Sequence, residues 1–238
     1  MIRSVLSPGR FARLGLLVWV AAIPGCGIDA AGATDVQLPF PDGREVRVRL
    51  PSDIVSQTTL RELSFYAERG SIQALVVVTD DPGERRAAES GSVVSVAGAP
   101  TPWRLVSGEI GYPDRIILAT DHWAAVIGIP DDVNEAEGVA DLVEFTEDAG
   151  LPVIGLRSGT YLVEPRLEEA SWLYLGSSGE WKVAFVGSCD ERPNVLTETT
   201  VEWCNDGLGL HLHAFGEAQF VERIRESLEV ISRFVGSA

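Results

Sequence analysis

The chain has 238 residues, 19 basic and 35 acidic, with a formal charge of −16 and a hydrophobic fraction of 45%. That composition excludes a disordered polymer, and the length is enough for a core that needs no lattice of disulfides or metals. So negative a surface repels phosphate backbones and anionic headgroups, which argues against nucleic acid as a partner and against electrostatic membrane adhesion.

At the start of the chain, Arg3, Arg10 and Arg13 lead into an apolar run over residues 14–23, followed by Pro24, Gly25 and Cys26. A basic segment, about ten apolar residues and a small-residue zone form an export signal, and the run is shorter than the ~20 residues that a permanent crossing requires. Residues 1–25 are therefore expected to be a signal peptide and 26–35 a short tether. The four residues Ile23-Pro24-Gly25-Cys26 resemble the bacterial lipobox, with Pro24 where Ala or Ser is usual. The resemblance implies a secreted lipoprotein: a diacylglycerol on the Cys26 sulfur, anchored at the outer face of the cytoplasmic membrane. The alternative is free secretion, with cleavage after Ala31-Gly32-Ala33. Without its first 25 residues the chain has 16 basic and 35 acidic side chains, a net −19.

The body, 36–238, reads as a single α+β domain. Residues 36–40 and 45–50 form a hairpin across Pro41-Asp42-Gly43, where Gly43 accepts positive φ. Residues 60–67 fit both helix and strand spacing, and Gly70-Ser71 tilts them to strand; 74–79 is a buried strand. Residues 80–90 are expected to be a charged loop opened by Asp80-Asp81-Pro82-Gly83. Four short strands follow at 93–97, 103–106, 116–119 and 123–129. The period then changes: Asp132 and Glu135 have capping-box spacing, and Val139, Leu142, Val143 and Ala149 make a helical stripe that ends at Gly150 and Pro152. A helix is expected over about 132–149, then a strand at 153–156. A second hairpin joins 172–175 to 181–186 across Gly176-Ser177-Ser178-Gly179. Residues 208–215 form a strand, and Val221, Ile224, Leu228, Ile231 and Val235 predict a C-terminal helix over about 217–234. The fold class is α+β, mostly antiparallel sheet with those two helices.

Three cysteines are present, and with Cys26 lipidated an even pair remains. Outside the cytoplasm, Cys189 and Cys204 are expected to form a disulfide. In His211-Leu212-His213 the strand period puts both imidazoles on one face and the leucines on the other. Such a pair can bind Zn²⁺ or Cu²⁺ when a third ligand, His122 or an acidic residue, comes near; otherwise the leucines build the core and the histidines line the opposite side. The tryptophans Trp103, Trp123, Trp172, Trp181 and Trp203 read first as core and second as a sugar or peptide groove. No nucleophile elbow, H-E-x-x-H, phosphate loop or dinucleotide fingerprint appears, and no catalytic pair and no cofactor is expected. The expectation is a non-enzymatic envelope lipoprotein with a binding or scaffolding role, touching the membrane through its lipid. The alternatives are an exported hydrolase-like enzyme and a metal binder using His211 and His213.

Overall fold

The computed structural model describes residues 32–96, 101–108, 114–129, 136–163, 170–185, 189, 195–205, 209–227 and 229–234. In chain order the strands are β1 (Ala33–Pro39), β2 (Glu45–Pro51), β3 (Thr58–Arg69), β4 (Ile72–Thr79), β5 (Ser92–Val94), β6 (Trp103–Val106), β7 (Arg115–Ala119), β8 (Ala124–Gly128), β9 (Val143–Asp148), β10 (Leu151–Leu156), β11 (Tyr161–Leu162), β12 (Ala170–Gly176), β13 (Gly179–Phe185), β14 (Thr200–Asn205), β15 (Leu210–Gly216) and β16 (Glu229–Phe234). The helices are α1 (Ser52–Ser56), α2 (Pro82–Ser90), α3 (Ala136–Ala140) and α4 (Ala218–Ser227). The fold is thus mostly antiparallel sheet with few helices. The chain groups into two compact units, unit 1 over Leu63–Glu164 and unit 2 from the described residues up to Glu62 and after Pro165. The boundary falls inside β3, so no linker marks it.

In unit 1, β4, β8, β7, β6 and β5 form antiparallel ladders in that order. One face of the sheet packs Val77, Ile117, Ala124 and Val126 against Ala88 of α2. The opposite face buries Val76, Val78, Ile116, Leu118 and Ile127. Helix α2 occupies the segment expected to be a charged loop. Asp81 is its N-cap, accepting from the Gly83 amide at 2.6 Å, and Pro82 stands at the first helical position, where a missing N–H costs nothing.

The helix expected over about 132–149 is a second correction. Positions 132–135 lie outside the described residues. Helix is present only over Ala136–Ala140, and residues 143–156 are instead the antiparallel hairpin β9–β10. Val143 and Phe145 are buried while Glu144 and Thr146 are exposed, a period of two that the helical stripe overlooks. Ala149 and Gly150 are the two-residue turn, with φ of 49° and 78°. Gly150 therefore serves the positive-φ hairpin turn and caps no helix.

In unit 2, β1, β2 and β16 form one antiparallel sheet, and β12, β13, β15 and β14 are joined in that order. The C-terminal segment is the third correction: α4 ends at Ser227, and Glu229–Phe234 pairs with β2 as a strand. Phe220, Val221 and Ile224 are the buried face of α4. The expected helical contributors Leu228 and Val235 lie outside the described residues, and Ile231 belongs to β16.

Four tryptophans are core residues, with Trp103, Trp123, Trp172 and Trp181 between 1% and 3% exposed. In unit 2, Trp181 stacks on Tyr174 at 4.0 Å between ring centroids, and the Trp172 indole donates to the Pro39 carbonyl at 2.8 Å. That bond satisfies the one polar atom the buried ring carries. Among the described residues no helix is long and apolar enough to cross a membrane.

Candidate functional site

Strand β15 alternates Leu210, Leu212 and Ala214 with His211 and His213, and the two sets leave the strand on opposite sides. The apolar set is 0% to 1% exposed and accounts for the placing of the strand. The histidine side is buried as well: each imidazole is 2% exposed. Register puts Lys182 of β13 and Glu202 of β14 on either side of His213, and Ala184 and Cys204 on either side of His211. Lys182 is the only lysine in the chain and is itself 3% exposed. One row further along, Glu180 neighbours Phe215, which is 45% exposed, so this face opens to solvent at that end.

The electrostatics follow from burial. His213 is pushed far below the ordinary histidine range, first by desolvation and then by the positive charges of Lys182 and His211, so its ring is neutral at any ordinary pH. Desolvation raises Glu180, and the nearby Lys182 ammonium opposes that rise. A neutral imidazole can accept one hydrogen bond, donate another or coordinate a cation. Among the described residues, however, no group of three or more His, Cys, Asp or Glu side chains could hold a metal ion. His122, one of the expected third ligands, is engaged with Glu147.

Cys189 and Cys204 stand with Cα atoms 5.8 Å apart and their sulfurs at disulfide distance, matching the expected pair. Both are partly exposed. Cys26 lies outside the described residues.

Unit 1 carries a second constellation, one that sequence reading missed. The turn before β8 places Thr120 and His122 against Glu147 of β9. The Glu147 carboxylate accepts from the Thr120 hydroxyl at 2.7 Å, from the His122 amide at 3.0 Å and from the His122 ring through Nδ1. Its side chain is only 12% exposed, whereas His122 is 68% exposed. Burial disfavours the charged carboxylate, but the three donors outweigh it and hold Glu147 below the usual range. Arg85 of α2 donates to the carbonyls of Asp80 and His122, which ties the same turn to the helix. An oriented histidine backed by a largely shielded carboxylate is the positioning half of an acid–base pair. The two residues are 25 positions apart and lie on different elements, so only the folded hairpin reveals them.

In unit 2, Glu198, Ala218, Gln219, Glu222 and Arg223 line a shallow depression beside α4. No protein-family profile, curated protein or solved structure matches the chain.

Proposed function

We propose that the chain is an exported bacterial lipoprotein, held at the outer face of the cytoplasmic membrane by a diacylglycerol on Cys26, whose β-rich body works as a binding or scaffolding surface. The observation that carries the reading is the meeting of Cys189 and Cys204 at disulfide distance, in a chain that opens with a basic segment, a ten-residue apolar run and a lipobox-like tetrapeptide. Disulfides persist outside the reducing cytoplasm, so leader and cysteine pair support the same compartment. Two acyl chains on one residue supply a firm anchor, at ~0.8 kcal/mol for each buried CH₂. A surface role is supported by Phe215 of β15 and Leu175 of β12, 45% and 36% exposed on either side of Glu180, because apolar side chains beside a charged rim suit contact with another molecule. The test is fractionation of cells expressing the wild type and Cys26→Ala. The wild type is expected in the membrane pellet and the variant in the medium or soluble extract; a variant that stays in the pellet overturns the anchor.

A second reading, an exported enzyme of hydrolase type, is favoured by one observation: the largely shielded Glu147 carboxylate orients the exposed His122 ring. Its test is a panel of chromogenic ester, peptide and glycoside substrates with His122→Asn as control. Turnover that this substitution abolishes would favour the enzyme.

A further inference from the structure

One row of unit 2 sets Leu175 of β12, Glu180 of β13, Phe215 of β15 and Thr200 of β14 side by side, each directly opposed to the next. Directly opposed residues on antiparallel strands share a face. Leu175 and Phe215 are exposed, while the row behind them buries Lys182 and His213. Glu180 stands between the two apolar side chains, partly exposed, and its carboxylate accepts no hydrogen bond among the described residues. Burial raises its proton affinity, and the Lys182 ammonium behind it offsets that only in part. Two further exposed carboxylates stand on the segments that meet here. Glu217 follows Gly216, and its amide donates to the Ser178 carbonyl at 2.9 Å; Glu198 precedes Thr199, whose carbonyl accepts from the Gly216 amide at 3.2 Å. The arginines of the adjoining helix α4 are already matched, Arg223 by Asp53 and Arg225 by Glu222. We propose that this patch, resting on the surface role given above, docks a basic peptide segment of a partner protein, with an Arg or Lys side chain on Glu180 and apolar side chains on Leu175 and Phe215.

Spacing and charge both select this occupant. Leu175 and Phe215 lie two strand spacings apart, about 10 Å. A free amine or an inorganic cation reaches the carboxylate but not both apolar side chains, whereas a peptide carries all three groups on one backbone. Arg and Lys suit the centre of the row because their aliphatic stems lie along apolar surface while the charged head reaches past it. The Phe215 ring adds a face on which a guanidinium can stack. The carboxylates around the patch repel acidic segments and phosphate groups, and the formal charge of −16 draws a basic segment in from a distance. An ion pair on a carboxylate partly withdrawn from water is screened less than one on open surface, so Glu180 supplies specificity as well as attraction. The docking does not depend on the lipid anchor and can fail or succeed without it.

The experiment uses the full chain carrying Cys26→Ser, immobilised as bait for a phage library of random dodecapeptides. Enriched sequences are expected to carry Arg or Lys with apolar residues on both sides. Their fluorescein-labelled synthetic forms are then titrated by anisotropy. Glu180→Gln and Phe215→Ser are each expected to weaken binding about tenfold or more, as is Gln in place of the peptide's basic residue. Val93→Ser, which removes an exposed apolar side chain from unit 1, is expected to change nothing. Circular dichroism and thermal melts check that each variant is folded, and Leu175→Ser replaces Phe215→Ser if the latter is not. Enriched peptides that are uncharged or acidic overturn the proposal. So do basic peptides whose affinity Glu180→Gln and Phe215→Ser leave unchanged; in both cases the body still binds peptides, but elsewhere. A library that yields no enriched sequence overturns the proposal and the surface role together.

Discussion

Glu147 gives the most direct handle on how unit 1 is held together. Its carboxylate joins the 120–123 turn to hairpin β9–β10 through the Thr120 hydroxyl, the His122 amide and the His122 ring. The ring bond involves a side chain 68% exposed and is screened by solvent, so it contributes little. The other two are hydrogen bonds to a charged acceptor that is 12% exposed, each worth roughly 1.5 kcal/mol net. Glu147→Ala is therefore expected to lower stability by about 3 kcal/mol, and Glu147→Gln by less, because the amide oxygen still accepts one of the bonds. The pH dependence fixes the sign. Glu147 titrates lower in the folded protein than in the unfolded one, so its contribution is complete above the ordinary glutamate value and disappears as pH falls through the depressed folded value. Urea unfolding of wild type and Glu147→Ala at neutral pH and at about pH 2.5 measures both quantities. A gap below ~0.5 kcal/mol at neutral pH, or one that does not narrow in acid, would refute the reasoning.

Three further outcomes are expected. Gly150→Ala has open space around the new Cβ but must hold φ near +78°, so urea titration should show a loss of about 1 kcal/mol with no change in circular dichroism. Gly179→Ala is a steric case: its Cβ would come within 2.6 Å of the Phe220 ring and 2.5 Å of the Phe215 carbonyl. It should cost ~1–3 kcal/mol and shift the near-ultraviolet aromatic signal as α4 moves; an unchanged Tm and spectrum would contradict that packing. Arg223→Ala removes the pair with Asp53 that holds that carboxyl low, yet both side chains are about half exposed, so thermal melts should show no more than ~1 kcal/mol of loss.

Local pattern made much of the sheet legible, and long-range pairing hid the rest. The hairpin over 36–50 was readable because Val46, Val48 and Leu50 alternate and Gly43 accepts φ of 80°. The β12–β13 hairpin was readable from its glycine-flanked turn. Residues 132–149 misled because Val139, Leu142 and Val143 satisfy helical spacing even though they belong to a helix, a turn and a strand. Phe145, between Glu144 and Thr146, carried the period of two that separates the alternatives. Asp81-Pro82 signals a turn, although the same two residues suit an N-cap and a first helical position equally well. For 229–234 nothing local decides: Val230 and Ile231 suit either element, and the choice falls to the edge of β2, which is 180 residues away in sequence for the Arg49–Glu229 contact. The shared face of His211 and His213 followed from strand period alone. Cys204 opposite His211 did not, because register across a reversal depends on the loop between the strands.

The lipid anchor is measured most directly by the mass of the N-terminal peptide from membrane-extracted protein. A lipid-anchored protein gives a peptide that begins at Cys26 and carries the added mass of a diacylglycerol on its sulfur. An N terminus at residue 34 with no lipid, or an uncleaved Met1 recovered from the cytosolic fraction, would contradict it.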